Sequence, residues 1–269
     1  MQMWWHLLAC ASLIQNGLAA PTTSPSSTIS TFYKSEPPSS DTKVDDLKGE
    51  TKQTQEKMLL RIMPLGASIT FGVLSTDGNG YREDLRDMLI SDGFDVDMVG
   101  NHAGGNMKDN QTEGYPGFII DRVHDKARIA VPQYKPNLIL INAGLNDCIQ
   151  NVDTANAGTR MRSMIEDLYK DSPQTTVILS TLLTNADAST RNCIASINRQ
   201  YTELSAALKL EGRRIVLADM QPPSGPTLDE LSEGAHPNDQ GYQRMADVWF
   251  KWIQAAAQQG LLQKADTIN

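Results

Sequence analysis

Five short apolar runs, at residues 58–63, 94–99, 138–141, 177–179 and 215–218, are each bounded by turn-forming residues and separated by segments of helical spacing. Short, largely apolar runs bounded in this way suit strands buried in a parallel sheet, although Asp95 and Asp97 interrupt the second and Arg61 the first. Between the runs, Tyr81, Leu85, Met88 and Leu89 recur at intervals of three and four, as do Met161, Met164, Ile165 and Leu168. Tyr242, Met245, Ala246, Trp249 and Ile253 form a last stripe. These are faces that helices lay on a sheet. Alternating strands and helices require right-handed crossovers, so the pattern predicts a three-layer α/β/α fold with a five-stranded parallel sheet. Such folds bind ligands beyond the carboxyl ends of their strands. The residues just after each run are therefore the ones to read for chemistry.

After the first run the chain reads Arg-Ile-Met-Pro-Leu-Gly-Ala-Ser-Ile-Thr-Phe-Gly over residues 61–72, which puts the Ser68 hydroxyl at the sheet's carboxyl edge. A loop serine is ordinarily a turn residue or a helix cap, so Ser68 needs partners. The third run leads into Asn-Ala-Gly-Leu-Asn-Asp over 142–147, where the Asn146 amide can donate to an oxyanion. Near the far end, Glu-Gly-Ala-His-Pro-Asn over 233–238 offers His236 as a base with the Glu233 carboxylate three residues before it. Serine, histidine and acid are the parts of nucleophilic acyl transfer. Position 70 is Thr, so Gly-x-Ser-x-Gly is missing, which argues against the nucleophile elbow of the α/β-hydrolase fold. Neither His-Glu-x-x-His nor Cys-x-x-Cys occurs, and the expectation is no metal and no other cofactor. His102, in a polar loop, and His124, on a surface helix, are expected to be solvated.

Four blocks stand in order: Gly-x-Ser at 66–68, Glu-Gly-Tyr-Pro-Gly at 113–117, Gly-x-Asn-Asp at 144–147, and acid-x-x-His at 233–236. Together they resemble the SGNH hydrolases, also called the GDSL family, and the second block is similar to that of carbohydrate esterase family three, whose usual substrates are acetyl esters of xylan. The resemblance implies a flavodoxin-like sheet in the order 2-1-3-4-5. It also implies Ser68 as nucleophile, His236 as base and Glu233 as the acid orienting it, with an oxyanion hole made by the Ser68 and Gly117 backbone N–H groups and the Asn146 amide. Two positions depart from the family. Ala67 stands where many relatives have the Asp of Gly-Asp-Ser, and Glu233 where most have the Asp of Asp-x-x-His. An aspartate at 233 is thus expected to restore the usual geometry. Phe71, Tyr81, Tyr115 and Phe118 lie near the blocks, either to stack on sugar rings or to pack the interior.

With 40% apolar and 21% charged residues, the 269-residue chain can bury one sizeable domain, read here as 58–262. Residues 1–20 hold an apolar stretch and a small-residue end, Gly-Leu-Ala-Ala, that read as a secretory signal peptide; 21–57 are a Ser/Thr/Pro-rich, disordered leader. Cys10 leaves with the signal, so Cys148 and Cys193 remain as a potential disulfide or as two buried thiols. Asn110-Gln-Thr112 is a glycosylation sequon. The 32 acidic against 24 basic residues, net charge -8, disfavour nucleic acid and anionic membrane surfaces as partners. The whole reads as a secreted, monomeric serine esterase that removes short acyl groups, acetyl foremost, from an acylated polysaccharide or small ester. The alternatives are a lipase or thioesterase-like relative acting on longer chains and a catalytically weak carbohydrate-binding relative.

Overall fold

The computed structural model describes residues 57–268. The signal and leader segments, with Cys10, lie outside the described residues apart from Lys57. In chain order the elements are β1 (Leu59–Gly66), α1 (Ser68–Phe71), α2 (Arg82–Ser91), β2 (Asp95–Met98), β3 (His102–Ala103), β4 (Gln111–Gly114), α3 (Ile120–Tyr134), β5 (Leu138–Asn142), α4 (Leu145–Gln150), α5 (Ala157–Asp171), β6 (Thr176–Ser180), α6 (Ala188–Leu210), β7 (Ile215–Ala218) and α7 (Asp239–Gln258). None of the described helices is long and apolar enough to cross a membrane.

The five expected strands are all present and parallel. β2 pairs with β1, β1 with β5, β5 with β6 and β6 with β7, which is the order 2-1-3-4-5. Alternation within each buried strand feeds two cores. Met63, Leu65, Ile139, Ile141, Val177 and Leu179 face the layer built on α3, α5 and α6, where Val123, Met161, Ile165 and Tyr201 are buried. Leu60, Ile62, Leu138, Leu140 and Ile178 face α2 and α7, where Leu85, Leu89, Tyr242, Met245 and Trp249 meet them. Both faces of the sheet are thereby covered, except along β2, which was expected to be buried but as an edge strand leaves Asp95 exposed and Val96 and Asp97 half-buried.

The sheet has seven strands, two more than the apolar runs announce. β2 accompanies β1 only from Leu59 to Ile62, and past that point β4 takes over the vacated edge, pairing Leu65 with Glu113 and Gly66 with Gly114. The short β3 returns antiparallel along β4. These strands, His-Ala and Gln-Thr-Glu-Gly, lack an apolar run because β4 gains its place from hydrogen bonds to an edge already present. Periodicity could not reveal them. They matter for position, since Gly66 now lies between Gly114 and Asn142. The three loops that follow these residues leave the carboxyl edge side by side.

Candidate active site

Gly66 ends β1 where the neighbouring strand is too close for any side chain: an added Cβ would lie 2.2 Å from the Asn142 carbonyl oxygen and 2.3 Å from Thr70 Oγ1. The chain then turns into α1, a single helical turn that Ser68 opens. Ala67, at the N-cap, supplies no side-chain acceptor, and the first N–H groups of a helix have no partner within it. The Ser68 N–H thus has no acceptor within its own helix. Buried Ile69 and Thr70 anchor the turn from behind.

His236 arrives from the loop before α7. Its Nε2 lies 2.7 Å from Ser68 Oγ, and its Nδ1 is in direct contact with Glu233 Oε1. The loop is pinned at its base by a bridge between Leu231 and Pro237 and by the Ser232 N–H, which donates to the His236 carbonyl at 2.8 Å. Below that base, the buried Glu230 accepts from Arg244 Nε at 3.0 and 2.8 Å and from the Thr227 N–H at 2.9 Å. The Arg244 guanidinium holds the Glu230 carboxyl at about 2, well under its ordinary 4.5. Asn238 then caps α7, its side chain accepting from the Gly241 N–H at 2.9 Å. Asp229 accepts from the Thr227 hydroxyl within its own turn.

On the other side of Ser68, the Tyr115 N–H donates to the Gly66 carbonyl at 3.0 Å, and the Phe118 N–H closes a turn onto the Tyr115 carbonyl at 3.1 Å. Pro116 and Gly117 are its central residues. Gly117 has φ +82, the left-handed value that a type II turn demands of its third residue. A Cβ there would meet no protein atom within 4 Å, so within this protein the backbone angle, and not crowding, is what calls for glycine. Asn146, in the first turn of α4, donates one amide hydrogen to the Phe118 carbonyl at 3.0 Å, which fixes the side chain and leaves its second hydrogen available. Gln150 Nε2 holds the Gly117 carbonyl at 3.0 Å.

Asp147 follows Asn146 and is wholly buried. It accepts from the Ile120 N–H at 3.1 Å, and Arg160 Nη2 lies 2.7 Å from its Oδ1, off the line of an ideal hydrogen bond. Burial pushes the Asp147 carboxyl up, against the lowering effect of Arg160. This acid therefore locks α4 to the start of α3 just beyond the Gly117 turn. Glu113 does the same for the other flank: it is fully buried and takes the Tyr115 hydroxyl at 2.7 Å as well as the Asn101 N–H. Burial raises Glu113 too.

Ser68, His236 and Glu233 are thus joined in one hydrogen-bonded chain, with Gly117 and Asn146 on the adjoining loops. Cys148 and Cys193 are bonded to each other, with Cα atoms 5.7 Å apart, and the link ties α4 to α6 two residues after Asn146. Asn110 stands half-buried at the start of the β3–β4 return, its Nδ2 donating to the Gly105 carbonyl at 3.1 Å. Two histidines differ from the sequence expectation. His124 is buried on α3, with Nε2 2.9 Å from Asp167 Oδ2; the Ile120, Val123, Ala127 spacing puts it on the helix's apolar stripe. His102 is half-buried, its ring 4.2 Å from that of Tyr115. Of the four aromatics near the blocks, Tyr81 and Tyr115 are packing residues, while Phe71 and Phe118 stay partly exposed. Sequence reading gave no role to Asp147, Arg160, Glu230 or Arg244, although Thr-x-x-Glu at 227–230 is a capping-box signal. Among the described residues no three His, Cys, Asp or Glu side chains are grouped to hold a metal. A cavity of about 710 Å³, lined by Met58, Arg61, Phe94 and Asp266 among others, lies at the opposite, amino edge of the sheet.

A serine, a histidine and a carboxylate in series at the carboxyl edge of a parallel α/β/α sheet define a serine-hydrolase arrangement. The profile of the GDSL-like Lipase/Acylhydrolase family matches residues 65–244, and the chain belongs to that family. It is 27% identical over 222 residues to a multidomain esterase of Ruminococcus flavefaciens, a match covering 72% of this chain and 28% of that protein. Among solved structures, the fold is similar to a Clostridium thermocellum family 3 carbohydrate esterase, with TM-score 0.66 and 20% identity over 75% of this chain and 98% of that one. It is also similar to a carbohydrate esterase family 3 protein from Talaromyces cellulolyticus, with TM-score 0.65 and 22% identity over 74% and 99%.

Proposed function

We propose that this protein is a secreted esterase that removes short acyl groups, acetyl foremost, from a carbohydrate through an acyl-enzyme. The observation that carries the reading is the Glu233–His236–Ser68 chain of hydrogen bonds beside the Gly117 turn and Asn146. The 2.7 Å between His236 Nε2 and Ser68 Oγ is within reach for direct proton transfer. As Oγ bonds to the ester carbonyl carbon, its proton passes to Nε2, and Glu233 stabilises the imidazolium that forms. The carbonyl oxygen becomes an oxyanion held by the Ser68 and Gly117 N–H groups and the free Asn146 amide hydrogen. His236 returns the proton to the sugar oxygen as the carbon–oxygen bond breaks. Water then attacks the acyl-Ser68, giving its proton to His236, and the carboxylic acid leaves while Ser68 is restored. The carbohydrate esterases among the fold neighbours support a sugar as the alcohol. A cysteine pair suits an oxidising, extracellular setting.

A series of 4-nitrophenyl esters from acetate to octanoate, together with acetate release from acetylated xylan, tests the reading. Turnover should fall with chain length and vanish in Ser68→Ala, while the thermal midpoint of that variant shifts little. Faster octanoate than acetate turnover would move the protein to a long-chain lipase, and an active Ser68→Ala would remove the nucleophile.

A further inference from the structure

Two cations flank the Gly117 turn, and neither has an acidic partner among the described residues. Arg122 and Lys126 are four positions apart on α3. Elsewhere Arg61, Arg86, Arg128, Arg160, Arg162 and Arg244 each pair with a carboxylate, while Arg82, Arg191 and Arg214 are held by backbone carbonyls and Arg213 by a ring. The Arg122 guanidinium lies 5.0 Å from the centre of the Phe118 ring, and the Lys126 ammonium 5.2 Å from that of Tyr115. The two rings stack on each other at 5.2 Å and 16°. Attraction to the ring faces keeps both cations over the first and last residues of the turn.

For the fold alone this is a poor arrangement. Like charges four apart on a helix repel. Arg122 is also in the first turn of α3, where the positive end of the helix dipole opposes a cation. The acid of that first turn, Asp121, is engaged by Arg160 at 2.9 Å. The first N–H of the helix, that of Ile120, is already taken by Asp147. Both are accessible, Arg122 exposed and Lys126 half-buried. A chain of net charge -8 thus carries uncompensated positive charge at the rim of its candidate active site.

We propose that Arg122 and Lys126 form a subsite for a carboxylate on the glycan, so that the substrate is an acyl ester of an acidic, uronate-bearing polysaccharide. The assignment deepens the esterase reading above and rests on it for the orientation of the substrate. Phe118 follows Gly117, and the Arg122 guanidinium is 5.0 Å from its ring, so the cation stands over the residue next to the Gly117 N–H. A uronate one sugar from the acylated ring would reach it. The arginine fork matches the two oxygens of a carboxylate, and the lysine adds a point charge. Together they would also offset the repulsion that the net negative charge exerts on a polyanion.

Binding, read separately from turnover, tests this. The full-length chain carrying Ser68→Ala is titrated calorimetrically with an acetylated glucuronoxylan and with the same polymer after reduction of its carboxyl groups to alcohols. The acidic form should bind on the order of three- to tenfold more tightly at low salt, the range that two solvent-facing ion pairs can supply. The preference should shrink as sodium chloride is raised and vanish in Arg122→Gln/Lys126→Gln, positions on an exposed helix face where glutamine keeps the fold. Arg213→Gln, which removes a cation stacked on Tyr169 at the amino edge of the sheet, should leave the preference intact. Equal binding of the two polymers, or a preference that survives the double substitution, overturns the subsite. If instead the wild type released no acetate from either polymer, the esterase reading would fall while the binding comparison still decided this one.

Discussion

Glu233 offers the sharpest quantitative test. Its carboxylate contacts His236 Nδ1 directly, yet its side chain keeps 47% of its accessible surface and that of His236 keeps 22%. A hydrogen bond to a charged group contributes about 1.5–3 kcal/mol. Water around a half-exposed carboxylate screens the attraction, which places this pair near the lower end, at about 1.5–2 kcal/mol. With 1.36 kcal/mol to each factor of ten, Glu233→Gln is expected to lower kcat on 4-nitrophenyl acetate by roughly 10- to 30-fold, with KM little changed. That is far short of the loss of about 10⁴ that follows neutralising a buried triad carboxylate. Steady-state kcat and KM for the purified variant decide it. A loss under about twofold would mean that something else orients the imidazole, and a loss near 10⁴ would show that solvent does not screen the pair. For Glu233→Asp the loop geometry argues for the opposite outcome to the one the family pattern gives. Removing a methylene draws the carboxylate back by about 1.5 Å, and the Leu231–Pro237 bridge and the Ser232 bond to the His236 carbonyl hold the loop against following it. The aspartate variant should therefore be slower than wild type; an equal or faster rate would show that the loop yields.

Glu230 predicts a pH effect of definite sign. Its carboxyl is held at about 2 in the folded protein, below its ordinary 4.5, so the stability it contributes is complete above that ordinary value and is lost as pH falls towards 2. In Glu230→Gln the difference in Tm from wild type should be largest near neutrality and close as the medium is acidified through that window; a constant difference refutes the linkage. Replacing Cys148 and Cys193 with serine opens a loop of 45 residues, worth about 4 kcal/mol in the chain-entropy account. At roughly 2–4 °C per kcal/mol for a domain of this size, Tm should drop by about 8–16 °C; a drop of under about 2 °C would mean that the bridge adds nothing. Asp147→Ala takes away the buried partner of Arg160, leaving it the exposed Asp121 at 2.9 Å, and should cost about 3 kcal/mol in urea unfolding, the low end for a broken buried pair because Asp121 remains and Arg160 keeps 11% of its side chain exposed. A cost under about 1 kcal/mol would mean that water replaces the carboxylate. Esterase activity should survive EDTA, and a chelated enzyme revived by a divalent ion would require a metal.

How much could be read without coordinates follows from which forces act locally. The five strands, the three apolar stripes and the positions of Ser68 and Asn146 were legible because the strands of a covered parallel sheet are largely apolar and because candidate site residues stand just after them, whereas His236, well beyond β7, was legible only through its own Glu-Gly-Ala-His block. The Tyr-Pro-Gly turn was equally legible, since proline and a left-handed glycine define its geometry within four residues. Other features depended on partners distant in sequence. β4 is a strand only because β2 leaves the edge of β1 early. His124 sits on the apolar stripe of α3, but the Asp167 that partners its ring comes from α5. The same holds for Asp147 and Arg160, and for Glu230 and Arg244, whose carboxylates are buried where distant cations meet them. Burial changes the energy of a charged or polar group more than that of an apolar one, so the apolar framework was determined by the sequence itself. The placement of the polar groups that brace the site was decided only when the fold brought their partners together.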